Sequence, residues 1–190
     1  PKTPKPRLYI VKIFWKMESS KIVVAETGNK RTDLSNEDVN QAITDIAQWF
    51  NTKQPKYFEA NMKQGGANKA DLAGLPEHLQ LLLLKFNGGL HFLETFKGIS
   101  ISEIKEAKVG AGLVAFAKDM DGNFQCMEAS GNVVTWDCED NTQSESMSMN
   151  LGQFLEHVRN LILSNKVDYD DDLGLYAKQW ITPHIIFIKF

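Results

Sequence analysis

The chain has 190 residues, 43% of them hydrophobic and 24% charged, a balance that fits a folded protein and excludes disorder throughout. No apolar run approaches the ~20 residues a helix needs to cross a bilayer, and two cysteines are too few for a disulfide framework, which points to an intracellular, cytoplasmic setting. The formal charge of −3 hides an asymmetry, because residues 1–118 carry 17 bases and 12 acids whereas residues 119–172 carry 2 bases and 12 acids; so acidic a stretch suits a basic protein surface, not nucleic-acid phosphates.

Taken in chain order, the leader from Pro1 to Arg7 is basic and Pro-rich but has no apolar stretch, so it does not read as a secretory signal. The absence of an initial Met points to a processed chain or a piece of a longer one. Residues 7–16 and 21–26 are rich in Ile, Val, Tyr, Phe and Trp about a short polar turn, which predicts a β-hairpin with apolar side chains on both faces. Ser35 with Asp38 three residues on opens a helix over residues 36–52, its apolar stripe running Val39, Ala42, Ile43, Ile46, Trp49, Phe50. Pro55 marks its end. A polar loop over 63–69 precedes a second helix with Pro76 as its first residue and Leu79, Leu82, Leu83 and Phe86 as its core stripe, widened by Leu81 and Leu84. Asn87-Gly88-Gly89 supplies the left-handed stop.

Beyond it, residues 92–96 and 109–117 read as strands about a helical turn at 101–107. Residues 123–128 and 133–138 read as two short strands about a turn at 129–132. Alternation places Phe124 and Cys126 on one face with Val134, Trp136 and Cys138, and a turn centred near Ser130-Gly131 sets Cys126 opposite about Thr135. Gly122-Asn123 closes a tight hairpin, and Trp136 is a large core residue whose N–H requires a partner. Asn150 with Gln153 opens a last helix carrying Leu151, Phe154, Leu155, Val158, Leu161 and Ile162 on one side. Four acids around Tyr169, in residues 168–172, read as a solvated loop or frayed end, and residues 185–190 as a final β-like run.

Four of these segments carry a resemblance. Leu75-Pro76-Glu77-His78-Leu79 running into Phe86-Asn87-Gly88-Gly89, then Phe116-Ala117-Lys118-Asp119 through Gly122-Asn123-Phe124-Gln125-Cys126, then Gly131-Asn132-Val133 through Trp136-Asp137-Cys138-Glu139-Asp140, then Met149-Asn150-Leu151-Gly152-Gln153-Phe154-Leu155 resemble, in order, the motifs of the SUKH superfamily. That family includes yeast cell-wall assembly regulators and bacterial toxin-immunity proteins. Cys138 stands where the family has His, and Gly152 stands where a helix former is expected. The resemblance implies an α+β fold, a SUKH-like mixed sheet flanked by helices, here with an extra N-terminal β-hairpin. It divides the chain into a leader and hairpin at 1–34, the SUKH-like domain at 35–165, and an acidic loop with an apolar tail at 166–190.

Catalytic chemistry finds no support in the motifs. A calcium loop starting at Asp119 requires Gly sixth and Glu twelfth, where Phe124 and Ser130 stand. His78, His91, His157 and His184 are too widely spaced for a ligand pair with Cys126 or Cys138, which read as buried thiols. Phosphate-binding and nucleophile-elbow motifs are missing. The expectation is a non-enzymatic protein-interaction module without cofactor or metal, a component of a larger intracellular assembly. The alternative is an immunity protein that neutralises a nuclease-type toxin. In either role the candidate partner-binding residues are Asp119, Asp121, Asp137, Glu139, Asp140 and Glu145. A third reading, a hydrolase that uses these acids with a metal, rests only on their number.

Overall fold

The computed structural model describes residues 34–144 and 146–178. The expected N-terminal hairpin, the run at 185–190, His184 and Glu145 lie outside the described residues. Helix α1 (Asn36–Lys53) starts at a capping box in which the Ser35 side chain and the Asp38 side chain each receive the other's backbone N–H. Its buried stripe is Val39, Ala42, Ile43, Ile46, Ala47 and Phe50. Pro55 ends this helix only to begin another. Gln54 caps α1, and Pro55 is the first residue of α2 (Pro55–Asn61), where its missing N–H costs nothing.

A short 3₁₀ turn (Lys69–Leu72) leads to α3 (Glu77–Lys85), which buries Leu79, Leu82 and Leu83. Pro76 sits one position before the helix, as its cap, Phe86 becomes its C-terminal cap, and Leu84 is exposed instead of widening the stripe. The Asn-Gly-Gly stop has a tertiary reason as well as a local one. Gly88 and Gly89 have φ of 96° and 85°, and a Cβ on Gly89 would lie 2.2 Å from the Asn61 carbonyl oxygen, so α2 can approach only a glycine there. The Asn87 side-chain oxygen accepts the Ile101 N–H at 2.9 Å, tying the stop to the start of α4 (Ile101–Glu106).

The fold is α+β, with one five-stranded sheet in the order β1 (Lys97–Gly98), β2 (Val114–Lys118), β3 (Phe124–Met127), β4 (Val133–Asp137), β5 (Thr142–Gln143). Every pairing in it is antiparallel, where a mixed sheet was expected. The turns joining β2 to β5 are too short for the crossover that parallel strands require. Two expected strands are shorter than the apolar runs suggested. Residues 92–96 make isolated bridges, interrupted by Glu94 at φ 63°. Strand β2 begins only after the turn at Gly112, with φ 81°, and carries a bulge between Ala115 and Ala117.

All four residues of β3 are buried, because the sheet is covered on both faces. One face joins Phe116, Met127 and Val133 to the stripes of α1, α3 and α5 (Leu151–Leu163). The other, read correctly from the alternation, packs Phe124, Cys126 and Val134 with Ile99 and Ala115 beneath Ile104 of α4 and Val109 and Leu113 of the following loop. Trp136 borders this smaller cluster, held so close to Gly110 that a Cβ there would lie 2.7 Å from its ring. Its indole N–H has no hydrogen-bond partner among the described residues, contrary to the expectation that one was required.

Gly152 is likewise a contact residue. A Cβ would meet His78 Nδ1 at 2.7 Å and Val39 Cγ2 at 3.0 Å, so the glycine that weakens the first turn of α5 is what lets it seat against α1 and α3. The Asn150–Gln153 capping box holds that turn, and Phe154 and Leu155 are buried just beyond it. Of residues 168–172, read as a loop or frayed end, only 171 and 172 lie in a turn, and the rest are strand. Strands β6 (Val167–Asp170) and β7 (Gly174–Ala177) form a hairpin, with Val167, Tyr169 and Leu175 in the main core and Asp168 and Asp170 outward. The alternation of acid and apolar residues is the strand pattern itself.

The outer edge of β1 and the stretch of β4 beyond β5 are occupied. Gly98 on β1 donates to the Leu90 carbonyl and accepts from Gly89. Beside β4, Ser144 donates to the Thr135 carbonyl, Met147 donates to the Val133 carbonyl, and Val133 donates to the Met149 carbonyl.

Candidate functional site

Antiparallel pairing puts the β2–β3 and β4–β5 turns at the same end of the sheet. The pairs Lys118 with Phe124, Phe124 with Trp136, and Trp136 with Gln143 form one row across that end. Just beyond the row lie Asp119 and Asp121 on one turn, and Asp137 at the end of β4 with Glu139 and Asp140 on the turn that follows. Five of the six expected partner-binding acids are thus gathered in one place. Asp121, Glu139 and Asp140 are exposed, whereas Asp119 and Asp137 are half-buried.

The half-buried pair also builds the turns. Asp119 accepts the Asn123 N–H at 2.8 Å and its side-chain amide at 2.9 Å. Asp137 Oδ1 accepts the N–H groups of Glu139 and Asp140. Asn123 joins the two turns, since its side-chain oxygen accepts the Cys138 N–H at 3.2 Å. Replacing Asn123 with alanine removes this link and leaves the half-buried Cys138 N–H short of its acceptor, a cost of about 1–3 kcal/mol. Urea denaturation would register that loss, and faster hydrogen exchange at the Cys138 amide would localise it.

The cysteines behave as packing groups. Cys126 is opposite Val134 rather than Thr135, and it is fully buried while Cys138 is half-buried. Burial pushes the Cys126 thiol up to about 12, and burial also raises that of Cys138. Both stay protonated at neutral pH, the form that is a poor nucleophile and a poor metal ligand. Among the described residues, no group of three or more His, Cys, Asp and Glu side chains is arranged to hold a metal ion. Nor is any described helix long and apolar enough to cross a membrane.

A cleft of about 360 Å³ opens beside the acidic end, between Asp119 and Met120 of the β2–β3 turn and Tyr169 and Asp171 of the β6–β7 hairpin. Tyr57 and His91 line it too, and with Tyr169 they form a triangle of rings whose centroids are 5.1–5.4 Å apart. Phe50 lies against all three rings from within the core, at 5.5–6.4 Å. The Tyr57 hydroxyl donates to the Gly89 carbonyl at 2.6 Å. Burial, reinforced by Tyr169 and Asp171, raises its pKa far above the ordinary tyrosine value. Burial, then Asp171, pushes Tyr169 up to about 12. His91 is pressed down to about 4, first by burial and then by Lys97.

A second hollow, of about 410 Å³, adjoins the first and shares Lys97, Lys118 and Asp119 with it. Lys97 bonds Asn61 Oδ1 at 2.8 Å and sits 5.7 Å from the Tyr57 ring centre, while Lys118 lies over Phe124. The sequence reading missed this aromatic floor. Tyr57 lies in an unread stretch after Pro55, His91 follows the glycine stop, and Tyr169 was assigned to a loop. No family model matches the chain, and no curated protein is significantly similar to it.

Proposed function

We propose that the chain is a non-catalytic, SUKH-type protein-binding domain, a component of a larger intracellular assembly, and that it meets a basic partner surface through the acidic end of its sheet. The observation that carries this reading is the convergence of Asp119, Asp121, Asp137, Glu139 and Asp140 from two turns onto one end of a sheet whose flanking helices are committed to the core. Carboxylates presented on rigid turns lose little entropy on docking and steer a cationic surface during approach. The four ordered SUKH-like motifs supply the family expectation.

The same acidic end favours a second reading, an immunity protein that covers the cationic cleft of a nuclease-type toxin. Cross-linking mass spectrometry on native material identifies the neighbour and separates the two, because a nuclease neighbour selects the immunity reading. With that neighbour in hand, the triple variant Asp121→Asn/Glu139→Gln/Asp140→Asn should associate about tenfold more slowly or worse at low salt. The gap should close at high salt as charges are screened. Equal association rates for parent and variant would refute the acidic docking face, and isolation of the native protein as a lone monomer would count against the assembly reading.

A further inference from the structure

We infer that the cleft beside the acidic end receives a single arginine side chain from the partner, an anchor that fixes where the charged surfaces meet. This rests on the protein-binding reading above and goes beyond it, since acids on two turns would attract any basic surface without choosing a register. Asp119 and Asp171 both line the cleft, on turns about fifty residues apart in the chain. Among the described residues neither forms an ion pair. A planar guanidinium can bond one carboxylate with each edge while its flat face lies on a ring, which a lysine ammonium cannot do.

The floor fits such a group. The Tyr57, His91 and Tyr169 rings line the cleft, and aromatic faces attract cations most where water is displaced. Lys97 already places an ammonium 5.7 Å from the Tyr57 ring centre, so this ring tolerates a cation from within the chain. Lys97 and Lys118 line the cleft as well, but Lys97 bonds Asn61 and Lys118 lies over Phe124, so among the described residues neither ammonium pairs with Asp119 or Asp171. His91 is 8% exposed, and its Nδ1 has no hydrogen-bond partner among the described residues. Met120, at the rim, is 74% exposed, an apolar contact for the residue that flanks the inserted arginine.

The test uses the full chain and two synthetic peptides, acetyl-Gly-Leu-Arg-Leu-Gly-amide and its glutamine counterpart, titrated while Tyr57, His91 and Tyr169 ring signals are followed by NMR. The arginine peptide should shift those signals saturably and the glutamine peptide should not. Its affinity should fall about tenfold in Asp119→Asn/Asp171→Asn, a pair that keeps one of the two side-chain oxygens that accept from Asn123. The single variant Asp171→Asn, remote from that turn, guards against misfolding and should lose part of the same affinity. Equal binding of the two peptides, or unchanged affinity in both variants, overturns the anchor. If affinity falls only in Asp121→Asn/Glu139→Gln/Asp140→Asn, the acidic end stands as a docking face and the anchor fails. Failure of every acid substitution to matter would sink both.

Discussion

Replacing Phe50 with alanine is expected to destabilise the protein by about 3–5 kcal/mol, the usual cost of emptying a fully buried phenylalanine site. Phe50 is 0% exposed. Its ring meets Tyr57 at 5.6 Å, Tyr169 at 5.5 Å and His91 at 6.4 Å, so the cavity would open beneath three half-polar rings that cannot collapse without abandoning the cleft. For a chain of this length, the midpoint of thermal unfolding should fall by roughly 10 °C. Urea denaturation followed by tryptophan fluorescence would give the free-energy change directly. A loss below about 1 kcal/mol is too small for this mechanism and would mean that Phe50 does not support the cleft floor as described.

The second large effect is a loss of stability in mild acid. His91 titrates near 4 in the folded chain against an ordinary 6.5, so between those values the unfolded chain binds the extra proton and folding weakens as pH falls. Its contribution is intact above about 6.5, is reduced by about 2 kcal/mol at pH 5, and levels off below 4 after a total of about 3 kcal/mol. The groups around it are Lys97, which opposes protonation, Asp171, which favours it, and the rings of Phe50, Tyr57 and Tyr169. Burial also lowers His78 and His157, so their contributions have the same sign. Denaturation curves from pH 7.5 to 5 should show the decline, and His91→Phe should flatten it to what the other groups leave, His78 and His157 acting in the same sense and Glu94, raised by burial, in the opposite one. A parent-like slope in that variant would show that His91 is not the group being forced to charge.

The parts of the fold that are local in cause were legible in the sequence. Ser35 with Asp38 and Asn150 with Gln153 announce helix starts because each box is closed by atoms three residues apart. The facing of β3 and β4 was legible from alternation, but their register was off by one. Glu128 and Asn132 pair across a three-residue loop with Gly131 at φ 88°, so the turn centres on Ser130 and Cys126 meets Val134. Acid placement was half legible. Asp119 fell in a turn and Asp137 in a strand as expected, yet only the pairing of β2 with β3 and of β4 with β5 reveals that both lie at one end of the sheet. The aromatic floor was hidden because Tyr57, His91 and Tyr169 come from a helix, a bridge segment and a hairpin. No spacing along the chain links them. The acidic hairpin misled for a simpler reason: charge density in Asp168, Asp170, Asp171 and Asp172 masked the inward alternation of Val167 and Tyr169.

The occupied stretches beside β1 and β4 bear on how a partner can bind. Gly98 on β1 already exchanges bonds with Gly89 and Leu90, and the strap from Ser144 to Met149 takes up the outer groups of Val133 and Thr135. An incoming chain therefore finds no long ladder to extend there. Recognition by strand addition, which reads backbone and tolerates many sequences, is closed off at these places. At these stretches what is left is contact between side chains, where a change of one residue in a partner alters affinity.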